Sequence, residues 1–191
     1  MAIPLRTSRL LLRPWRDEDA AGFAEMSADP AVMEYLLPLS DRGLSVEAWV
    51  ARARAHWDEH GFGQWVVEIP DAANFIGVVG LGVVSYEAPF TPAVEVAWRL
   101  ARFYWGHGYA TEAARAALDY GFNELGLSEI VAVTVPANWR SRRVMERLGM
   151  TRVPEDDFDH PRLPEGPLRR HVLYRLRNPK GAAAHVSGLR G

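Results

Sequence analysis

The period of apolar and polar positions changes along this chain, and each change marks an element. Leu10-Leu11-Leu12-Arg13 is a short apolar run that predicts a first, buried strand. Asp17-Glu18-Asp19 favours a helix start. Ala20, Phe23, Ala24 and Met26 carry that helix to Asp29-Pro30, where proline disfavours continuation. Val32 to Pro38 reads as irregular. Ser45 caps a second helix over about Val46 to His60, and Gly61 ends it. Gln64 to Ile69 and Phe75 to Val84 are strand-like and flank the turn Asp71-Ala72-Ala73-Asn74, which predicts an antiparallel hairpin. Pro89 and Pro92 break the chain before a central strand, Val94 to Leu100. Ala110, Ala113, Ala114, Ala117, Leu118, Gly121 and Phe122 then recur at the three-and-four spacing of one helical face. Ile130 to Val135 is a further apolar strand, followed by a helix that opens on Asn138. A loop rich in proline and charge runs from Met150 to Arg170, and His171 to Arg177 alternates as a last strand.

The resulting order, β-α-α-β-β-β-α-β-α and a closing strand, implies an α/β (α+β) chain with one mixed sheet and helices on both faces. A length of 191 residues suits one domain with its own core, expected over residues 1–177, with a small, polar tail over 178–191. Composition changes this picture little. Apolar residues make up 48% and charged residues 24%, which is ordinary globular usage. A net charge of −2 supplies no basic field to draw the chain to nucleic acid or to a membrane surface. The absence of cysteine excludes disulfides, a thiol nucleophile and cysteine–zinc sites, and it fits a cytoplasmic setting. Met1 to Arg6 lacks the apolar core of a signal peptide. No run of 18 apolar residues exists, so no membrane span is expected.

The chemistry concentrates at Trp105-Gly106-His107-Gly108-Tyr109-Ala110-Thr111-Glu112-Ala113, between the central strand and the alanine-rich helix. Two glycines permit a sharp turn, and the helix start behind them offers unpaired N–H groups at the positive end of a dipole. Such a strand–loop–helix binds phosphate. The ligand follows from spacing. A dinucleotide fingerprint requires a third glycine where Thr111 stands, and the lysine of a Walker loop is absent. A glycine-rich turn that binds nothing is the structural alternative.

This run resembles the pyrophosphate loop of the GNAT superfamily of N-acetyltransferases, [QR]-x-x-G-x-[GA], with Gly108 and Ala110 at its last two defined positions. Trp105 departs from the Gln or Arg of that pattern. Asn138-Trp139-Arg140-Ser141-Arg142-Arg143-Val144-Met145-Glu146-Arg147-Leu148-Gly149-Met150 resembles the later coenzyme-A segment of the same superfamily. Thr7-x-Arg9-Leu10-x-Leu12-Arg13 and W-G-x-G-Y-A-T-E-A are similar to the branch holding the Rim-type acetyltransferases of ribosomal-protein N-termini. The resemblance spans roughly residues 7 to 177. It implies a mostly antiparallel sheet in which two parallel strands, here Val94 to Leu100 and Ile130 to Val135, splay to admit the pantetheine arm of coenzyme A.

It also implies an acetyl-CoA-dependent N-acetyltransferase that acts directly on a primary amine, either a protein N-terminus or a small amine, in a ternary complex. Acetyl-CoA is then the co-substrate, and no metal is required. Amides from Gly106, His107, Gly108, Tyr109, Ala110 and Thr111 would hold the diphosphate, with a side-chain hydrogen bond from His107 or Thr111. Main-chain N–H groups near Trp98, Arg99 and Leu100 would bind the pantetheine amides and face the thioester oxygen. Asn138, Ser141 and Arg142 would complete the coenzyme site. Arg140 and Arg143 are further candidates for the adenosine 3′-phosphate, with a solvated helix face as the alternative.

Glu95 interrupts an apolar strand. It is read as a general base, with a structural glutamate as its alternative and bound water as the rival route. Met145 stands where many relatives carry a proton-donating tyrosine. Either Ser141 or a water protonates the thiolate, or it leaves unassisted. Asn138 is alternatively a plain helix cap, and His107 and His160 are alternatively surface histidines. Tyr35 to Leu44, Trp57 to Phe62 and Pro154 to Arg170 would wall the acceptor cleft. Arg162, Arg169 and Arg170 are expected to neutralise the acids of Glu155 to Asp159. The protein is expected to be a monomer or homodimer, and the rival class is a non-catalytic acyl-CoA-binding module.

Overall fold

The computed structural model describes residues 3–38, 43–179 and 181. Among the described residues the strands are β1 (Leu5–Arg6), β2 (Leu11–Arg13), β3 (Gln64–Ile69), β4 (Ala73–Val83), β5 (Val94–Leu100), β6 (Glu129–Thr134), β7 (Thr151–Arg152), β8 (Phe158–Asp159) and β9 (Arg170–Arg177). The helices are α1 (Asp19–Ala28), α2 (Pro30–Met33), α3 (Val46–His60), α4 (Tyr109–Asn123) and α5 (Trp139–Arg147). The chain divides into two compact units, one of Met1–Gly82 with Ala97–Ala116, the other of Val83–Val96 with Ala117–Gly191. Strand β5 and helix α4 run through both.

In the first unit β1, β2, β3, β4 and the second half of β5 lie side by side. The pairings β1–β2, β2–β3 and β3–β4 are antiparallel, so the predicted hairpin is present, with Trp65 opposite Val79 and Val67 opposite Gly77. Helix α3 has the predicted bounds because its signals are local. The Ser45 hydroxyl accepts from the Ala48 amide at 3.1 Å, and Gly61 takes the left-handed φ of 74° that ends the helix. Val32 to Pro38 is not wholly irregular. Asp29 accepts from the Ala31 amide at 2.8 Å and Pro30 sits in the first turn, so the pair that stops α1 also starts α2. Trp15, Phe23, Met26, Val32, Val50, Val66 and Val78 form the core, with Phe23 stacked on Trp49 at 4.1 Å.

The second unit holds the first half of β5, then β6, β9 and β7, with β8 also on β9. Strands β5 and β6 run parallel, registered at Glu95 opposite Val131, and β6 pairs antiparallel with β9 from Glu129–Arg177 to Thr134–Val172. The stretch between Met150 and Arg170 is not all loop. It contains β7 and β8, two-residue strands too short to show a period and held only by their pairing with β9. Val84, Val131 and Leu173 form a core cluster with Tyr86, Phe90, Ala93 and Val133.

Helix α4 buries its predicted face: Ala113, Ala114 and Ala117 are fully enclosed, and Leu118 and Phe122 nearly so. Asn178, the first residue of the expected tail, is tied down: its amide donates to the Ser128 carbonyl at 2.8 Å. The remainder of the expected tail, save Asn178, Pro179 and Gly181, lies outside the described residues, as do positions 39–42 of the expected acceptor wall. The architecture is a mixed α/β fold with a mostly antiparallel open sheet. Among the described residues no helix is long and apolar enough to cross a membrane.

Candidate active site

In the first unit, β5 ends at Leu100 and a short 3-10 turn over Arg102–Tyr104 leads into the glycine loop. Trp105 is its anchor. The indole Nε1 donates to the Leu100 carbonyl at 2.8 Å, and the ring packs against the core of this unit. Gly106 and Gly108 have φ of 82° and 81°, in the left-handed region. A Cβ at Gly106 would meet nothing within 4 Å, and one at Gly108 only Arg9 Nη2 at 3.5 Å. Conformation, not space, therefore demands glycine here.

The first α-helical hydrogen bond of α4 runs from the Glu112 amide to the Gly108 carbonyl at 3.0 Å. Among the described residues no main-chain carbonyl accepts from the amides of Gly106, His107, Gly108, Tyr109, Ala110 or Thr111. Open donors thus collect at the positive end of a fifteen-residue helix. His107 is exposed and its ring stacks on Tyr109 at 5.5 Å. Upstream, Trp98 and Arg99 are half-buried and Leu100 is buried. The Arg99 guanidinium lies over the rings of Phe23 and Trp49, at 5.5 and 6.0 Å.

In the second unit, Glu95 is itself half-buried between the buried Val94 and Val96, and the desolvation of its carboxyl raises it from 4.5 to about 7. Beside it in this unit is a cluster of rings that the sequence did not reveal. Tyr86 lies 4.3 Å from His160 and stacks on Phe158 at 6.2 Å, Phe90 meets Phe158 at 4.9 Å, and His171 lies 5.2 Å from His160. His160 is consequently half-buried among rings rather than a solvated surface histidine. Burial, and after it the Glu95 charge, raises the Tyr86 hydroxyl, whose oxygen is enclosed and lacks a hydrogen-bond partner among the described residues. Burial likewise lowers His171.

On α5, Asn138 is a helix cap. Its Oδ1 accepts from the Ser141 amide at 3.2 Å, and its Nδ2 donates to Thr134 Oγ1 at 3.0 Å. Arg142 donates from Nε to the Tyr174 hydroxyl at 3.3 Å and from Nη1 to the Pro136 carbonyl at 3.1 Å. Arg143 and Arg140 flank the half-exposed Trp139 ring at 4.7 and 5.8 Å. Ser141 is half-buried, and Met145 is enclosed, with 1% exposed.

The acids between Glu155 and Asp159 are largely paired. Asp157 binds Arg152, Asp156 binds Arg175 at 3.0 Å, and Asp159 binds Arg170 at 3.3 Å. Of the three expected partners Arg170 and, at 3.8 Å, Arg169 do face Asp159, while Arg152 and Arg175 lie outside the expected set. Arg162 turns instead to Ser85. Among the described residues no group of three or more acidic, histidine or cysteine side chains is placed to hold a metal ion.

The family described as "Acetyltransferase (GNAT) domain" matches residues 9–151. An uncharacterised protein of Bacillus subtilis, YkkB, is 37% identical over 147 residues, which cover 76% of this chain and 84% of that protein. The FsC-acetyl coenzyme A-N(2)-transacetylase of Aspergillus fumigatus is 33% identical over 177 residues, covering 86% and 74%. The crystal structure of an acetyltransferase from Agrobacterium tumefaciens superposes with a TM-score of 0.71 at 29% identity, covering 93% of this chain and 95% of that one.

Proposed function

This chain belongs to the GNAT acetyltransferase family, and from that premise we propose that it transfers an acetyl group from acetyl-CoA directly to a primary amine in a ternary complex. The protein is an N-acetyltransferase, and the family uses acetyl-CoA. The acceptor we propose is a protein N-terminus or a small amine. The Thr7-x-Arg9-Leu10 opening and the W-G-x-G-Y-A-T-E-A string support the Rim-type branch. In this reading residues 1–177 act as one acetyltransferase domain in the cytoplasm, as a monomer or homodimer.

The observation that carries the proposal is the row of unclaimed amides from Gly106 to Thr111 at the head of α4. A diphosphate placed there gains main-chain hydrogen bonds and the field of the helix. Main-chain N–H groups at Trp98, Arg99 and Leu100 serve the pantetheine and the thioester oxygen. Asn138, Ser141 and Arg142 support the coenzyme from α5. Glu95 is the base: at neutral pH it is divided between its two forms, as suits a group that takes a proton from an ammonium. Met145 carries no acidic proton, so the departing thiolate is protonated by Ser141 or by water, or it leaves without help.

Gly108→Val tests the loop. A β-branched residue at a φ of 81° is strained, at roughly 1–2 kcal/mol, and the loop must turn differently. The KM for acetyl-CoA is expected to rise about tenfold or more, with only a modest fall in melting temperature. An unchanged KM removes the loop from coenzyme binding. A second assay follows thiol release from acetyl-CoA against a panel of peptides with free N-termini and small polyamines. Turnover on at least one is expected, and tight coenzyme binding without any turnover overturns the transfer reaction as proposed.

A further inference from the structure

We infer that Thr7, Ser8 and Arg9 form a clamp on Glu112 that keeps the loop amides open, with Arg9 as a positioning residue for the coenzyme diphosphate. The inference rests on the proposed role of that loop and adds a regulator of its shape. All the residues concerned belong to the first unit.

The Glu112 carboxylate is only 16% exposed, and it is saturated with donors. Its Oε1 accepts from Thr7 Oγ1 at 2.6 Å, from Ser8 Oγ at 3.1 Å and from the Arg9 amide at 3.0 Å. Its Oε2 accepts from Arg9 Nε at 2.7 Å and faces Nη2 at 2.6 Å, a forked pairing. Burial would raise this carboxyl, and the hydrogen bonds from Thr7, Arg9 and Ser8 outweigh it and hold it low. The remaining arm of the fork, Nη1, donates to the His107 carbonyl at 3.0 Å, and the guanidinium covers the Tyr109 ring at 4.7 Å.

Two consequences follow for the loop. The His107 carbonyl is the acceptor that the Thr111 amide would use if α4 wound back by one more residue. The left-handed Gly108 turns the chain away from that carbonyl, and the Arg9 bond to it holds the loop in this turn, so the Thr111 amide stays available. Glu112, moreover, is a negative charge in the first turn of the helix that is meant to attract a diphosphate. Left bare, it would oppose that ligand. The Arg9 guanidinium cancels it at the point of contact. A stretch about a hundred positions upstream thus completes the loop.

The test uses steady-state kinetics with acetyl-CoA and with S-acetyl-pantetheine, a donor that lacks the diphosphate. For Arg9→Ala the loss with acetyl-CoA is expected in KM more than in kcat, and to exceed the loss with S-acetyl-pantetheine about tenfold or more. Arg9→Lys keeps the charge but not the fork and should fall between, which also covers the case in which Arg9→Ala folds poorly. Equal losses with both donors, or an unchanged KM for acetyl-CoA in both variants, overturn the clamp. If Gly108→Val raises KM while the Arg9 variants do not, the clamp fails alone. If none of the three alters KM, the loop reading fails and the clamp with it.

Discussion

Glu95→Gln is expected to lower kcat by about 10²–10⁴-fold, the usual contribution of a positioned base, and to do so without loss of stability. The sign follows from its burial. The carboxyl sits at about 7 in the folded chain against 4.5 for a free glutamate. Between those values the folded state binds more protons than the unfolded one, so stability declines as pH rises through that window and levels off above about 7. Catalysis runs the other way. The ionised form takes the proton, so the rate should climb as pH rises through about 7.

Glutamine carries no titrating group. The variant should therefore lose the rising limb of the pH–rate profile centred near 7, and at pH 8 it should be at least as resistant to urea as the parent. Rate profiles from pH 5.5 to 9 and unfolding curves at both ends check the two claims. A profile that superimposes on the parent's would leave Glu95 a structural residue and hand its role to water. A variant that is inactive because it is unfolded would refute the claim that burial strains this carboxylate.

The second large effect concerns stability alone. Arg13 and Asp19 are 3% and 2% exposed and pair through both carboxylate oxygens at 2.8 Å. Arg13 also binds Glu68 at 2.7 Å and donates to the carbonyls of Pro14 at 3.1 Å and Asn74 at 2.7 Å. Asp19 in turn accepts from the Arg16 amide at 2.6 Å. The network ties β2 to the start of α1, to β3 and to β4. Asp19→Ala leaves a buried guanidinium short of its main counter-charge, at a cost of about 3–5 kcal/mol. That is a large part of the roughly 5–15 kcal/mol that holds a domain folded.

Replacing both partners together, Arg13→Met with Asp19→Leu, should cost less than the sum of the two single changes, because the buried pair leaves as a unit and Glu68 keeps Arg16 at 3.9 Å. Denaturation midpoints of the parent, Arg13→Met, Asp19→Leu and the double variant measure this. A double variant as unstable as the sum of its parts would show that the two residues act independently.

These two cases show what could and could not be read along the chain. Asp19 was legible as an acid suited to a helix start, and it is the first residue of α1. Its true partner lies six positions back on a strand, and that pairing depends on how β2 turns into α1. Glu95 was legible as an acid in an apolar strand, but the degree of its burial depends on what covers the strand. Tyr86, His160, His171 and Phe158 gave no sign of meeting, because Tyr86 lies in a loop more than seventy positions before the others and the strand that carries Phe158 is two residues long, too short to show a period. Arg9 did leave a signal. It stood in the Thr7-x-Arg9 string, with no indication that Glu112 was its partner.

The amino-acid order alone determined the bounds of α3, the hairpin of β3 and β4, the buried face of α4 and the loop at Gly106 and Gly108. Each of these is set by neighbours within a few residues: a cap, a left-handed φ, an apolar repeat. Only the tertiary structure decided the charge state of Glu95, the partner of Glu112, the seat of Arg13 and the existence of β7 and β8. Those depend on solvent exclusion and on groups brought together from distant positions, and neither quantity is written in any local stretch of chain.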